Sequence, residues 1–450
     1  MKVAKFGGSS VADHAMLEQV ASIIESDPDR KFIVVSAPGK RYDEDEKVTD
    51  MFIQLGEQFN SGQDYEVTLF KISQRFQAIT DQLGLSDDIV ARIENESRRL
   101  LRETTNTTHL TDGLKAMGED SLARILSAYL NKRGTQATYV NPKDAGIIVN
   151  SEPGGAQILE KSYEEIHKLT ERSGVVVIPG FFGYTETGVL TTFPRGGSDI
   201  TGSIVAAGVQ ADLYENFTDV SSVYCVNPKI VDQPHEIHTL TYKEMRELSY
   251  AGFTVFHDEA LIPAFQKNIP VCIKSTHDPG AEGTMIVSNK DDLSQQVVGI
   301  ASDEGFSSIY VRKYLMNREI GFGQRLLGIL ADMDISFEHA PSGIDDMSVI
   351  IRRDHIKGDK EERLKNRIKN ELNADTVDVI HGLAMVMLVG EGMSERLHVA
   401  SKATKAFADA DVRINMINEG SSEVSMMFGI DENKVDQAVR SLYREFFLEA

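Results

Sequence analysis

The chain has 450 residues, 41% of them hydrophobic, with 47 basic against 69 acidic residues and a formal charge of -22. That length implies two or three domains, each able to bury its own core. The acid excess works against nucleic acid or an anionic membrane as a partner, so a phosphate site must be built locally from a few cations, backbone N–H groups and a metal.

Cys225 and Cys272 are the only cysteines, in no metal-ligand spacing, so neither a disulfide framework nor a zinc site is expected. The segment Met1-Lys2-Val3-Ala4-Lys5-Phe6 lacks the apolar core of a signal peptide, and no run approaches ~18 uninterrupted apolar residues. A cytoplasmic location is expected. Asn106-Thr107-Thr108 fits a glycosylation sequon and reads as a polar loop.

Residues 3–6 read as a short strand, followed by a glycine turn and a helix capped by Asp13, with Met16, Leu17, Val20, Ile23 and Ile24 on one face. The continuous apolar run 32–36 marks a strand buried on both faces. Helices are expected over 119–132, 163–172 and 199–209, and strands over 138–140, 175–179 and 211–216. This alternation over some three hundred residues specifies an α/β fold with a central, mostly parallel sheet. From about residue 297 the elements are shorter and recur. Strand 307–312, helix 323–333, strands 336–339 and 347–352, helix 361–372 and strand 376–380 spell a ferredoxin-like βαββαβ unit. Segments 384–390, 394–409, 413–418, 423–430 and 433–446 spell most of it again. The expected domains are therefore 1–295, 296–382 and 383–450, the last completed by a strand at 297–302. The repeat suits regulation or dimerisation.

Four segments could carry chemistry. Lys5-Phe6-Gly7-Gly8-Ser9-Ser10 joins a strand to a helix, which presents N–H groups, a helix dipole and one lysine to an anion, although a plain tight turn reads the same way. It is neither a Walker A loop nor a dinucleotide fingerprint. In Arg195-Gly196-Gly197-Ser198-Asp199 the arginine can grip a carboxylate bidentately, while Asp199 could simply cap the following helix. Gly118-Glu119 at a helix start is favoured by the dipole alone. Asn216-Phe217-Thr218-Asp219-Val220 follows a strand, where α/β sheets bind ligands.

Taken together, Lys-Phe-Gly-Gly-Ser-Ser-Val-Ala at the N-terminus, Val-Val-Ser-Ala at 34–37, Gly-Glu at 118–119, Arg-Gly-Gly-Ser-Asp at 195–199 and Phe-Thr-Asp-Val at 217–220 resemble the aspartokinases. Ile414-Asn415-Met416-Ile417 and Gly420-Ser421-Ser422-Glu423 resemble the ACT regulatory domain that ends that family. The resemblance covers essentially the whole chain. It implies the amino-acid-kinase fold followed by two ACT domains, and transfer of the ATP γ-phosphate to the β-carboxylate of L-aspartate with Mg²⁺. A carboxylate nucleophile, with a reference pKa of about 3.9, needs no general base, only positioning and a positive field.

The resemblance assigns Lys5 and Asp199 to catalysis. It assigns Ser36, Thr49, Glu119, Arg195, Gly197 and Ser198 to aspartate, with Arg195 on a carboxylate and Glu119 on the ammonium. Lys5, Gly7, Gly8, Ser9, Thr218, Asp219, Tyr224 and Lys229 would hold the nucleotide. An effector amino acid, lysine or threonine or both, would meet Met316, Glu319, Gly321, Phe322, Gly323, Glu338, Asp345 and Asp346 between chains of a homodimer or larger homo-oligomer.

Three departures stand out. Thr254 replaces the family's lysine in Gly252-Phe253-Thr254-Val255-Phe256-His257-Asp258, with Lys229 or Lys274 as candidate substitutes. Ser221-Ser222 replaces Asp-Gly before Val223-Tyr224, and the turn Ser342-Gly343-Ile344-Asp345-Asp346-Met347 is long. Rival readings are another amino-acid kinase and a catalytically weak amino-acid sensor of the same fold. A fused homoserine dehydrogenase is not expected, because the chain ends with the repeat and lacks a dinucleotide fingerprint.

Overall fold

The computed structural model describes residues 1–253, 259–290, 292–393, 397–419 and 424–448. Two compact units emerge, one of residues 1–223, 236–246 and 254–291, the other of residues 224–235, 247–253 and 292–450. Thr254 and the rest of 254–258 lie outside the described residues, as do Gly420-Ser421-Ser422-Glu423 and the expected start of a helix at 394.

The first unit runs β1 (Lys2–Phe6), α1 (His14–Glu25), β2 (Arg30–Val35), α2 (Val48–Asn60), α3 (Glu66–Leu83), α4 (Asp88–Glu103), α5 (Thr107–Lys132), β3 (Ala137–Tyr139), α6 (Ser162–His167), β4 (Val175–Pro179), β5 (Phe182–Tyr184), β6 (Leu190–Thr192), α7 (Gly197–Val209) and β7 (Leu213–Thr218). After β8 (Val223–Tyr224) come β9 (Glu236–Ile237), β10 (Thr239–Thr241), α8 (Tyr242–Tyr250), α9 (Ile262–Gln266), β11 (Val271–Ser275) and β12 (Thr284–Val287). Its main sheet has the order β10-β12-β11-β7-β1-β2-β4-β3. The central pairs β7–β1, β1–β2 and β2–β4 are parallel, and β12 runs antiparallel to β11. As expected from their unbroken apolar runs, Phe32 to Val35 are fully buried. Asp13 caps α1 by accepting from the Met16 N–H at 3.0 Å.

Helix α5 departs from expectation. It starts at Thr107, so Glu119 lies in its middle instead of at its N-terminus. The cap is Asn106, whose side chain accepts from the Thr108 and His109 amides at 2.9 and 3.1 Å. The sequon asparagine is thus the first turn's acceptor and not part of a loose loop. Most residues of α5 from Leu110 to Leu130 are buried, which weakens the amphipathic period that would have disclosed its length.

In the second unit, β13 (Gly299–Arg312), α10 (Phe322–Asp332), β14 (Asp346–Arg352), α11 (Lys360–Leu372), β15 (Thr376–Val389), α12 (Val399–Asp409), β16 (Met416–Glu419), β17 (Ser425–Asp431) and α13 (Val435–Tyr443) follow one another. The strands form a single sheet of order β14-β13-β15-β17-β16. Segments 376–380 and 384–390, read as separate strands, are one continuous β15. Its two halves pair with the two halves of β13, and the register shifts between Asp303 and Phe306. Gly305 and Gly382, with φ of 86° and 75°, mark the bulged middle of these long strands. The expected strand 336–339 is reduced to one bridge, His339 with Ile350.

Candidate active site

The carboxyl ends of β1, β2, β4 and β7 meet at the centre of the first sheet, the place where open α/β sheets bind ligands. Lys5 pairs in register with Val34 on one side and Asn216 on the other. Its ammonium, on a residue 6% exposed, lies 2.6 Å from Asp199 Oδ1. Asn216 Nδ2 donates to the same Asp199 oxygen at 2.6 Å. Asp199 is therefore not the cap of α7; that position belongs to Gly196, in a left-handed conformation with φ 81°. What the carboxylate does instead is hold Lys5 beneath Gly7, where a Cβ on that glycine would be 3.4 Å from Nζ.

The turn after β1 is partly committed. Gly7 N–H donates to the Phe217 carbonyl at 3.0 Å, so that amide serves the fold and is not available to a phosphate. Gly8 and Ser9 continue into a short 3-10 turn over Ser9–Val11. Gly39 packs directly upon them: its N–H donates to Gly8 O at 2.9 Å, and a Cβ there would stand 2.6 Å from Gly8 C. Arg75 fixes this stack from below, donating to the Ala12 and Gly39 carbonyls at 3.0 and 2.8 Å and to Asp45 at 2.6 Å. Arg41 also holds Asp45, and together these cations keep its carboxyl far below the usual range.

Gly8, Ser9, Ser36, Thr49, Glu119 and Asp219 line one open cleft of about 550 Å³. Thr49 sits in the first turn of α2, and Ser36 follows β2 with its N–H donating to the Phe6 carbonyl at 3.1 Å. Gly118 lets α5 approach: a Cβ there would lie 2.6 Å from the Ala37 Cβ. The adjoining Glu119 is 5% exposed, and its Oε2 is buried with no hydrogen-bond partner. Burial pushes its carboxyl up to about 8, against opposing hydrogen bonding from the Ala37 and Glu119 backbone. A buried carboxylate oxygen left unpaired is costly, and a cationic ligand group entering from the cleft would relieve it.

Arg195 does not line this cleft. It is exposed in the turn before α7, between Phe193, buried at 2%, and Gly196. Gly197 and Ser198 open the helix, and a Cβ on Gly180, the residue following β4, would be 2.8 Å from the Ser198 Cβ. Thr218 Oγ1 donates to Asp219 Oδ1 at 3.0 Å at the end of β7. Tyr224 and Lys229 belong to the second unit. Lys274 pairs in register with Phe217 and lies 3.9 Å from the buried Glu215, on the sheet face opposite Lys5. It is thereby ruled out as a stand-in beside Lys5 for the lysine missing at Thr254. Sequence reasoning passed over Arg75, Asp45 and Arg41. They belong to helix α3 and to the loop before α2, and nothing local in the chain signals their convergence.

Of the expected effector residues, most gather at one end of the second unit. Met316 is buried, Gly321 (φ 78°) precedes α10, and Phe322 is 4% exposed. Gly323 lies near Met347. Asp345 Oδ1 accepts from the Leu315 N–H at 2.8 Å, while Asp346 O accepts from the Gly343 N–H at 2.8 Å. Glu319 is ion-paired to both Lys313 and Arg325. Glu338 is not brought there: it is hydrogen-bonded to Tyr250, faces Arg352 at 3.6 Å, and pairs with Ile350 near the far end of β14.

Among the described residues no helix is long and apolar enough to cross a membrane, and no three His, Cys, Asp or Glu side chains converge as a metal site. The amino acid kinase family model matches residues 1–275, and an ACT domain model matches residues 386–446. Aspartokinase 3 of Bacillus subtilis (strain 168) is 52% identical over 448 residues, 99% of each chain. The crystal structure of Clostridium acetobutylicum aspartate kinase superposes with a TM-score of 0.89 at 37% identity, covering 99% of this chain and 100% of that one. Escherichia coli aspartokinase III in complex with aspartate and ADP gives a TM-score of 0.79 at 25% identity, covering 99% of this chain and 100% of that one. A Lys5–Asp199 pair under a glycine turn, with the buried Glu119 lining the same turn's cleft, thus stands in a chain that belongs to the amino acid kinase family and, within it, to the aspartokinases.

Proposed function

We propose that the first unit transfers the γ-phosphate of ATP to the β-carboxylate of L-aspartate, giving 4-phospho-L-aspartate. The observation that carries the reading is Glu119, which lines the cleft that the phosphate loop also lines and keeps one carboxyl oxygen buried without a partner. The α-ammonium of aspartate satisfies that oxygen, and Arg195 takes the α-carboxylate, so the β-carboxylate is left free to attack. Ser36, Thr49, Gly197 and Ser198 complete the amino-acid side. No base is required, because the nucleophile is already ionised at neutral pH. Rate acceleration then comes from holding two anions together and from positive charge at the transferring group. Lys5 is that charge, oriented by Asp199, with the Gly8 and Ser9 turn at the phosphates. Thr218 and Asp219 hold the nucleotide on the first unit. Mg²⁺ would supply Lewis-acid neutralisation of the phosphates. Asp199 and Asp219 are the carboxylates nearest that role, too few for a metal site without the nucleotide's own oxygens. The E. coli enzyme's aspartate and ADP complex supports the substrate pair.

The second unit, divided near residues 296 and 383 into two ACT halves, is proposed to bind an end-product amino acid, lysine or threonine, at Met316, Gly321–Gly323, Asp345 and Asp346. The ion-paired Glu319 and the distant Glu338 would contribute only after their partners are displaced. Tyr314, Ile320 and Ile344 around this end are 72%, 100% and 70% exposed, the kind of surface a second copy of the chain covers. The proposed location is the cytoplasm. ADP release that depends on aspartate and falls as lysine and threonine are titrated, singly and together, tests the whole reading. Aspartate-independent ADP release would contradict the first half, and indifference to both effectors the second.

A further inference from the structure

Helix α5 carries a second buried carboxylate that none of the roles above uses. Asp112 is 2% exposed and lies seven residues before Glu119. Seven residues are two turns, so both side chains project from one face, about 10 Å apart along the axis. Asp112 Oδ1 accepts from the Thr192 hydroxyl at 2.9 Å, and Oδ2 accepts from the Thr192 and Gly154 amides at 3.0 and 3.3 Å. Thr192 ends β6 and is fully buried; its carbonyl accepts from the Ala156 N–H at 3.1 Å. The next residue, Phe193, donates its N–H to the Phe181 carbonyl at 2.8 Å. Two residues further on stands Arg195. The chain is therefore clamped at 192 and 193 and then released into the exposed turn that presents the guanidinium.

We propose that Asp112 is a positioning residue for the amino-acid substrate. It ties the strand end that delivers Arg195 to the same helix face that carries Glu119, and so sets the span between the two groups that grip aspartate. The inference rests on the proposed roles of Arg195 and Glu119. A carboxylate is suited to the task because it accepts from three donors at once, two of them backbone N–H groups that have fixed directions. A shift of about 1 Å in such a span is enough to cost one to two orders of magnitude in productive binding.

The test compares KM for aspartate with KM for ATP in the full-length chain. Asp112→Ala should raise KM for aspartate by about tenfold or more and leave KM for ATP within about twofold. Asp112→Asn should restore KM for aspartate to within about threefold of the parent. Its carbonyl oxygen can take both N–H donors, while its amide donates to the Thr192 hydroxyl acting as acceptor. Thr192→Val, which removes one donor only, should give a smaller rise in the same direction, and it decides the question if Asp112→Ala does not fold. Combined with Arg195→Ala, the Asp112→Ala effect on aspartate should largely vanish, because the group it positions is gone. Equal rises in both KM values, an unchanged KM for aspartate in folded Asp112→Ala or in Thr192→Val, or additive effects in the double variant would each overturn the inference. A parent-like KM in Arg195→Ala would instead overturn the Arg195 assignment beneath it.

Discussion

Lys5 Nζ and Asp199 Oδ1 stand 2.6 Å apart, joining residues 194 positions distant in the chain at the centre of the first sheet. The pair links two of the sequence motifs at once: the lysine of the glycine turn is oriented by the carboxylate of the Arg-Gly-Gly-Ser-Asp segment. Asn216, donating to the same oxygen, holds the carboxylate in place. An ammonium set on a strand end in this way is preorganised to meet charge developing on a transferring phosphoryl group.

Lys5→Ala should abolish turnover and not merely raise KM for ATP, with kcat falling by at least ~10²-fold. Steady-state kinetics at saturating ATP measures this directly; a near-parent kcat would refute the catalytic role. Asp199→Asn should lower kcat as well while leaving nucleotide binding largely intact, because it disorders the lysine without removing it.

Glu119 gives the site a pH dependence of definite sign. Burial raises its carboxyl to about 8, so near neutrality the free protein holds a proton there that the aspartate ammonium must displace. Binding of aspartate should therefore release a proton, and KM for aspartate should fall as pH rises from 6 towards 8, by at most tenfold per unit. Glu119→Gln should raise KM and flatten that dependence. The same group affects stability: its folded pKa lies above the unfolded value of about 4.3, so its contribution is greatest below that value and is lost as pH rises through about 8. The stability difference between the parent and Glu119→Gln should change with pH in that window.

Gly118→Ala should weaken both folding and aspartate binding. The added Cβ would stand 2.6 Å from the Ala37 Cβ, which forces α5 away from the loop after β2. Overpacking of this kind costs about 1–3 kcal/mol, read as a lower thermal midpoint. KM for aspartate should rise because Glu119 moves with the helix.

Arg75→Met should be destabilising by about 1–3 kcal/mol, since it leaves the buried Asp45 with Arg41 alone and the Gly39 and Ala12 carbonyls without their donor. Chemical denaturation measures the loss. Because Asp45 is held well below its usual range, its stabilising contribution is present above about pH 3.9 and is lost as pH falls through the folded value.

Much of the fold could be read from the chain because local signals and burial agree. The strands at 32–35 and 175–179 are unbroken apolar runs, the strand at 3–6 is broken only by Lys5, and Asp13 is a cap in fact as in pattern. Legibility failed where the deciding partner is remote. Whether Asp199 caps a helix or holds a lysine depends on Lys5, far away in sequence. Helix α5 looked short because most of its residues are buried and its few half-buried polar positions, such as Thr111, Asp120 and Arg124, do not fall on one face. The joined strands of β13 and β15 looked like separate pieces because the bulge at Gly305 and Gly382 interrupts the alternation, while the two strands go on pairing on either side of it. Asp112, Asp45 and Arg75 carry no motif at all; only the packed structure shows what they hold.

The central claim is that the site grips the α-groups of aspartate and exposes the β-carboxylate to ATP. Hydroxylamine trapping during turnover with aspartate and Mg-ATP, followed by identification of the hydroxamate, tests it most directly. The account requires the β-hydroxamate, formed in step with ADP and lost in Lys5→Ala. No hydroxamate from a folded, nucleotide-binding sample, or the α-hydroxamate as the main product, would contradict it.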